Sequence, residues 1–581
     1  MSTPREKVLR EQRRAVETAI LSKRMDFAVS RDDGQVVSSL QQSQLLERVP
    51  AAIFDGVFIV PELRDTAERW LRVNVRGMLQ MRIEEEVCVR ASAVACGPEN
   101  ETERWHGAAR SLPAPRVRRA STENRDRRQS TAGGINGRRH RHCYHPPMLP
   151  KYEHEIRDPI HTFIRVSSDE RRVIDSRAFQ RLRHIHQLAL TFLVYPGATH
   201  RRFEHCLDVM DLAGRIFDVI TRYPRHPDVQ QLFPSDKELD YWRTVVRMGA
   251  LCHDLGHIPF SHGAEAVLPK GTHHEQLSVD VILSDEMRQI WSTMKPPIDP
   301  LDVAKVAVGL KDWPRDPKDF TPWDELLTEI VTGNAFGADR ADYLLRDSHH
   351  AGVAYGRFDH HRLVDTLRVL RAPGTGKPTI GIERGGMDAA EGLQLARYFM
   401  FEQLYYHRVR RALDLHLREF LRAILPGGVY PTAVDEHLRL TDNEVLAELS
   451  KAAQDANHPG HQAADRILSR RFYRVLYEPT QDDLSTNINA VEAVLRAAET
   501  RFGTSAVARD RETKPSKPMD FAVWRDDGQI VSSLQESKVL ERVPAATFDR
   551  VFIVPELREE AERWLKENVR GILQMRIEEE I

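Results

Sequence analysis

His253-Asp254-Leu255-Gly256-His257, continuing Ile258-Pro259-Phe260-Ser261-His262, is the stretch whose reading decides the fold. It closes an apolar run, Val245 to Cys252, that reads as a buried helix. Gly256 then reads as the helix stop. Adjacent His and Asp side chains point about 100° apart on a helix. At a helix end His253 and Asp254 can still reach one ion, or one ion and its neighbour. Upstream, Arg202-Phe203-Glu204-His205 precedes apolar Cys206, Val209, Met210, Ala213, Phe217 and Ile220. That spacing predicts a helix with one buried face and His205 at its start. Downstream stand His273-His274-Glu275-Gln276 and Asp339-Arg340-Ala341-Asp342-Tyr343, the latter running on to Arg346-Asp347.

Histidine nitrogen combined with carboxylate oxygen suits Mn, Fe, Zn, Ni or Co, and Mg where phosphate oxygens complete the shell. A divalent ion makes hydroxide from water near neutral pH and neutralises phosphate charge. Each piece alone is weak, because a lone His on a buried face is more often a satisfied core residue. A His, then His-Asp, then Asp, in order on helical segments with further histidines around them, is a pattern that core packing does not ask for.

This H…HD…D order resembles the HD superfamily of metal-dependent phosphohydrolases, with His205, His253, Asp254 and Asp339 at the metal-ligand positions. Asp158-Pro159-Ile160-His161, Phe179-Gln180-Arg181-Leu182-Arg183, Gln187-Leu188, Tyr195-Pro196-Gly197-Ala198 and the run His253 to His262 resemble its dNTP triphosphohydrolase branch. The resemblance covers roughly residues 150–480 and implies water attack at the α-phosphorus, giving a deoxynucleoside and inorganic triphosphate. It implies that His257, His262 and His274 surround the reacting phosphates. Glu265 stands where the family has an Asp that orients the catalytic His. Arg202 and Arg340 would hold phosphate oxygens, Arg340 replacing a Lys of the vertebrate members. Arg grips phosphate bidentately where Lys does not. Gln187 and Asp347 would meet the sugar hydroxyls, and Tyr343 would pack against the sugar. Leu404-Tyr405-Tyr406-His407-Arg408 resembles a later substrate-site helix, with Arg397 a phosphate contact. Asp175, Gln180 and Arg183 match residue types at an allosteric nucleotide site of the family, although His154-Glu155-Ile156-Arg157 lacks the Lys-Val pair of a GTP site. The resemblance further implies a homo-oligomer.

Two alternatives share these motifs. One is an HD enzyme acting on a nucleoside monophosphate, a cyclic nucleotide or an alarmone. The other is a catalytically weak nucleotide sensor, for which Glu265 and an Arg-rich segment are the only support. A pure binder has no need of every metal-ligand type.

The remaining sequence sets the frame. The chain has 581 residues, a formal net charge of -2, 41% apolar and 29% charged residues. Such a balance gives no global pull toward nucleic acid or membrane. Five cysteines without a CxxC pair argue for a reducing compartment. No apolar run is long enough to span a membrane, and Met1 to Arg14 has charge without an apolar core behind it. The expected location is cytoplasmic.

Met25-Asp26-Phe27-Ala28-Val29 returns as Met519-Asp520-Phe521-Ala522-Val523, and the match runs ungapped to Glu86 and Glu580. Roughly four positions in five are identical; two distant copies do not make a solenoid. Each copy reads as a small α+β unit: a strand, an Asp-Gly turn, a buried strand such as Val551 to Val554, and a helix opened by Pro555-Glu556-Leu557. Between Cys88 and Pro150 lie twelve Arg, no Lys and no apolar period. Arg138-Arg139-His140-Arg141 fits a nucleic-acid tail, but a linker is the preferred reading. The expected order is therefore a helical or disordered lead (1–24), a small module (25–87), a disordered linker (88–148), an HD helical core (149–500) and a second small module (519–581). The fold class is mainly α, because helical apolar spacing dominates from Val173 to Leu495.

Overall fold

The computed structural model describes residues 28–30, 36–38, 153–222, 225–512 and 519–574. The expected lead, the expected linker and most of the first repeat copy lie outside these residues. By its contacts the chain divides into residues 1–54 with 150–581, and residues 55–149, the latter wholly outside the described set. In the first copy, β1 (Ala28–Ser30) and β2 (Val36–Ser38) pair antiparallel as a sheet of their own.

The core opens with a hairpin of β3 (His154–Asp158) and β4 (Thr162–Val166), followed by α1 (Ser168–Ile174). The helices that follow include α2 (Arg202–Arg222), α3 (Asp236–Cys252), α4 (His274–Ile282), α5 (Pro300–Val308), α6 (Pro322–Thr332) and α7 (Ala338–Ala351); α2, α4 and α7 carry motif pieces, and α3 leads into His253-Asp254. Their ends follow local chemistry. Glu238 accepts the Ser235 N–H at the start of α3 (2.8 Å), while Thr321 and Asp324 cap α6 reciprocally with Pro322 in its first turn. α2 packs on α3 and α7, and α5 packs on α3, α4 and α6. Val209, Met210 and Ala213 of α2 are fully buried, as are Val246 and Ala250 of α3. Each large apolar side chain so buried contributes about 1.5–3 kcal/mol.

The second half mixes strands into the helices: β5 (Leu367–Arg371), β6 (Pro378–Glu383), α8 (Met387–Met400), α9 (Arg408–Ile424), α10 (Asp442–Gln454), α11 (His461–Leu468), β7 (Arg474–Tyr477), α12 (Ala490–Phe502) and β8 (Val507–Glu512). The second repeat copy supplies β9 (Ala522–Trp524), β10 (Ile530–Ser532), β11 (Phe548–Ile553) and α13 (Arg558–Gln574). Its hairpin joins the first sheet in the order β10-β9-β6-β5, with β9 parallel to β6; β11 sits between β7 and β8. Ala561 and Leu565 of α13 face the core at the expected helical spacing. The described chain is thus mainly helical, as its apolar spacing predicts, with small sheets that helical periodicity does not reveal. Among the described residues, no helix is long and apolar enough to cross a membrane.

His437 ties the two halves together. Fully buried, it lies with Nε2 3.1 Å from the Leu255 carbonyl and Nδ1 3.3 Å from the Tyr430 hydroxyl. Burial, reinforced by the Arg181 charge, pushes its pKa down to about 3. A depressed histidine favours the folded state while neutral, so its contribution is full above the unfolded value of about 6.5. Below that pH the unfolded chain binds the proton first. Stability should fall by up to about 1.4 kcal/mol per pH unit and level off near the folded value. Urea midpoints measured from pH 7 to pH 4 should show this slope, and His437→Gln should flatten it.

Candidate active site and metal centre

His205, in the first turn of α2, is completely buried. Its Nδ1 meets Asp342 Oδ2 at 2.7 Å, and its Nε2 meets Asp339 Oδ1 at 3.1 Å and Asp254 Oδ2 at 3.8 Å. His253 lies just past the end of α3. Its Nδ1 is 2.7 Å from the Ala250 carbonyl, which leaves Nε2 free to accept. That Nε2 is buried without a hydrogen bond, 3.2 Å from Asp254 Oδ1 and 3.6 Å from Asp339 Oδ1. Ligand atoms of His205, His253 and Asp339 lie within 4.8 Å of one another, and Asp254 joins His253 in an overlapping group. A buried imidazole nitrogen with no partner, facing two carboxylates and a second imidazole, fits a divalent cation. Burial opposes ionisation of Asp254, but Arg202 and the neighbouring histidines hold it well below the usual carboxylate range. Burial likewise opposes protonation of His205, yet its bonds to Asp339 and Asp342 raise it to about 10. Burial opposes ionisation of Asp339 too, but its bonds to His205 and His253 hold it well below the usual carboxylate range. Both carboxylates are therefore anionic at neutral pH, and a bound cation would take the place of the His205 proton.

Gly256 does not act as the expected helix stop; α3 ends at Cys252, with His253 in its cap position. Its role is close approach. A Cβ there would lie 2.0 Å from the His274 carbonyl oxygen and 2.3 Å from the Ser278 N, both backbone atoms of α4. Gly256 thereby lets the His253–His257 turn lie directly on the helix that carries His274. Gly256→Ala should destabilise the fold by at least about 1–3 kcal/mol through overpacking. It should also lower bound metal per chain, measured by elemental analysis beside a thermal melt.

A histidine group adjoins the metal ligands. His257 Nε2 is 3.3 Å from Asp254 Oδ1, and its ring stacks on that of His274 at 3.8 Å. Glu265 reaches both neighbours: one oxygen lies 2.6 Å from His274 Nδ1 and 3.0 Å from His262 Nδ1. The added methylene relative to Asp therefore does not break the bridge. Burial disfavours the Glu265 anion, but His262 and His274 hold it far below its ordinary value. His274 is raised against its burial by that carboxylate. Burial, Arg202 and His274 together keep His257 well below the usual imidazole value.

These groups line a cavity of about 620 Å³, together with Gln187, Arg202, Arg340, Tyr343, Asp347, Arg397 and Tyr405. Arg202 pairs with Asp254, and its Nε donates to Ser261 Oγ at 2.7 Å. Asp347 accepts from the Tyr405 hydroxyl and lies as close to His200 Nε2, both 2.7 Å. The Nε atoms of Arg340 and Arg397 and the Gln187 Oε1 are buried without hydrogen bonds, so the cavity holds unused donors and an acceptor. Ala189, Phe260 and Ser261, all on the cavity wall, have φ of 48°, 59° and 51°. Left-handed backbone at non-glycine residues concentrates at functional sites.

The predicted substrate helix around Tyr405 is not regular. Phe401–Tyr405 forms a π turn at the end of α8, Tyr406 N–H donating to the Phe401 carbonyl (2.9 Å), and α9 starts afresh at Arg408. Such a turn rotates side chains off the α register, which accompanies the Tyr405 contact with Asp347. Arg408 itself is exposed and outside the cavity. Asp175, Gln180 and Arg183 also lie outside it. Asp175 pairs with Arg171 at 3.2 Å, Arg183 donates to Gln180 Oε1 at 2.9 Å, and Arg183 covers the Phe203 ring.

Several contributors were given no role from the sequence. Arg410, Arg411 and Arg418 of α9 line the cavity, with Arg411 bonded twice to Asp510 of β8 (2.6 and 2.8 Å). Charges spaced along α9 resemble a solvated face until β8 covers them. Asp442 accepts from Phe260 N (2.7 Å) and His186 N (2.8 Å), fixing two cavity loops. Arg181 donates to the His257 carbonyl at 2.8 Å. Behind His205, Asp342 also receives Arg346 Nε (2.9 Å), whose guanidinium meets Asp158 (3.1 Å) and Asp208 as well.

The fold and site define a class, and comparison agrees with it. A family profile described as HD domain matches residues 202–347, and one described as HD associated region matches residues 358–516. The chain belongs to the HD-domain family of metal-dependent phosphohydrolases. Its relatives include the deoxynucleoside triphosphate triphosphohydrolase of Bos taurus, 29% identical over 60% of this chain and 57% of that one. An uncharacterized protein of Methanocaldococcus jannaschii is 35% identical over 60% of this chain and 66% of its own length. The chain thus spans less than two thirds of either curated relative. A solved structure of a hypothetical protein from Aquifex aeolicus superposes with a TM-score of 0.58 at 30% identity, covering 71% of this chain and 99% of that one.

Proposed function

We propose that this protein hydrolyses deoxynucleoside triphosphates to deoxynucleoside and inorganic triphosphate. One observation carries the reading: a single cavity joins the His205/His253/Asp254/Asp339 cluster to buried, unpartnered Arg340 and Arg397 nitrogens and to the Gln187–Asp347–Tyr405 wall. Those four ligands would hold the divalent ion, which supplies hydroxide near neutral pH and neutralises phosphate charge. The chain itself does the rest. Arg202, Arg340 and Arg397 orient the phosphate chain. Glu265 fixes the Nδ1 sides of His262 and His274, leaving Nε2 of each to offer a proton to a phosphate oxygen or the departing sugar oxygen. Asp347, held between Tyr405 and His200, accepts from a sugar hydroxyl, and Tyr343 packs against the ring. Positioning and electrostatics supply most of the rate in such a reaction. Family membership also suggests self-association and, at Asp175, Gln180 and Arg183, a nucleotide effector.

The test is a product assay with Mn²⁺ or Mg²⁺ and each dNTP, ATP, a deoxynucleoside monophosphate and a cyclic nucleotide, resolved by ion exchange. Deoxynucleoside plus triphosphate is expected. Turnover of only the monophosphate or cyclic substrate would keep the metal site and sink this reading. Binding of dNTP without turnover would favour a sensor.

A further inference from the structure

The chain carries the same hairpin twice, and among the described residues the C-terminal copy is the one that pairs with a core strand. Ala522–Trp524 pairs with Ile530–Ser532 in the register Ala522↔Ser532 and Val523↔Val531, and Ala28–Ser30 pairs with Val36–Ser38 in the corresponding register, Ala28↔Ser38 and Val29↔Val37. The C-terminal hairpin then adds to β6 through Val523↔Ile382 and Trp524↔Glu383. Among the described residues, the N-terminal hairpin forms a two-stranded sheet with no further strand. Two-stranded sheets alone are marginal in water.

The seat is shaped for this hairpin. A Cβ on Gly381 would lie 2.3 Å from the Ala522 carbonyl oxygen, so the missing side chain lets β9 lie against β6. Phe521 packs its ring on Phe336 at 4.7 Å, Gln394 Nε2 meets Met519 Sδ at 2.8 Å, and Ala522 and Val523 are fully buried. The first copy has the same residues in the same order: Met25, Phe27, Ala28 and Val29. It departs at the rim. Trp524, which meets the His226 ring at 5.4 Å, is replaced by Ser30, and Glu536, which pairs with Arg384 at 3.4 Å, by Gln42.

We propose that the β6 edge is an exchange site, and that the hairpin Ala28–Ser38 of a second copy of this chain is its alternative occupant. Strand addition supplies the backbone hydrogen bonds, and the shared Met, Phe, Ala and Val fill the same pockets. The rim differences make the resident hairpin the tighter occupant, so exchange is the minor state at rest. Because the two hairpins share the residues that face the core, such an exchange between protomers needs no new complementary surface.

Full-length protein carrying Ser30→Cys and Glu383→Cys tests this, with Trp524→Cys plus Glu383→Cys as the positive control. Isotopically heavy and light chains are mixed, treated with a short thiol cross-linker, digested and read by mass spectrometry. A heavy–light cross-link between positions 30 and 383 is expected. It should rise several-fold when Trp524→Ser and Glu536→Gln give the resident hairpin the rim of the first copy. Absence of that cross-link with the rim weakened, while the control reacts fully, overturns the proposal. A cross-link formed only within single chains overturns it as well.

Discussion

Asp254→Ala should reduce hydrolysis by about a thousandfold or more, a loss separate from the stability cost of leaving Arg202 buried without its carboxylate. The magnitude follows from what the carboxylate serves. A metal's stabilisation of charge in a phosphoryl transition state is worth several kcal/mol, and each 1.36 kcal/mol is about tenfold in rate. Asp254 also receives Arg202 and lies 3.3 Å from His257 Nε2, so its loss frees the cation proposed to hold phosphate and an imidazole proposed to face it. Asp254→Asn keeps the shape and removes the charge, and it should lose nearly as much. Steady-state turnover alongside bound metal per chain checks both variants. Full metal content with activity within tenfold of wild type would remove Asp254 from the ligand set.

Arg346→Met should have the largest effect on stability. Its side chain is fully buried on α7 and faces Asp342, Asp158 and Asp208. Removing one partner of a buried ion pair costs about 3–5 kcal/mol, because the opposite charge stays buried and uncompensated. Here three carboxylates lose one cation, against a total stability of about 5–15 kcal/mol for a typical domain. Lysine should rescue poorly, since a single ammonium cannot serve the fork of contacts that a guanidinium makes. Yield of soluble protein and the urea midpoint read the result. A companion Asp208→Asn removes one of the three charges and should be tolerated far better. A midpoint for Arg346→Met within about 1 kcal/mol of wild type would show that the carboxylates are balanced in some other way.

The sequence alone picked out the candidate metal ligands, because side chains on or directly beside the ends of helices that bury their apolar faces have little freedom in where they point. Helical spacing around His205 and before His253 placed both at helix ends, and that is where α2 and α3 carry them. The Asp-Gly turn and the Pro-led helix of the second repeat copy were legible for the same local reason. Tertiary structure decided the rest. Gly256 looked like a helix stop, and only the approach of α4 shows that it is a contact point. Arg410 and Arg411 were given no role from the sequence, and β8 makes them part of a buried wall carrying Asp510. Periodicity reports which face of an element is apolar. It is silent on which distant strand or helix covers a polar face, and that pairing spans 99 residues from Arg411 to Asp510.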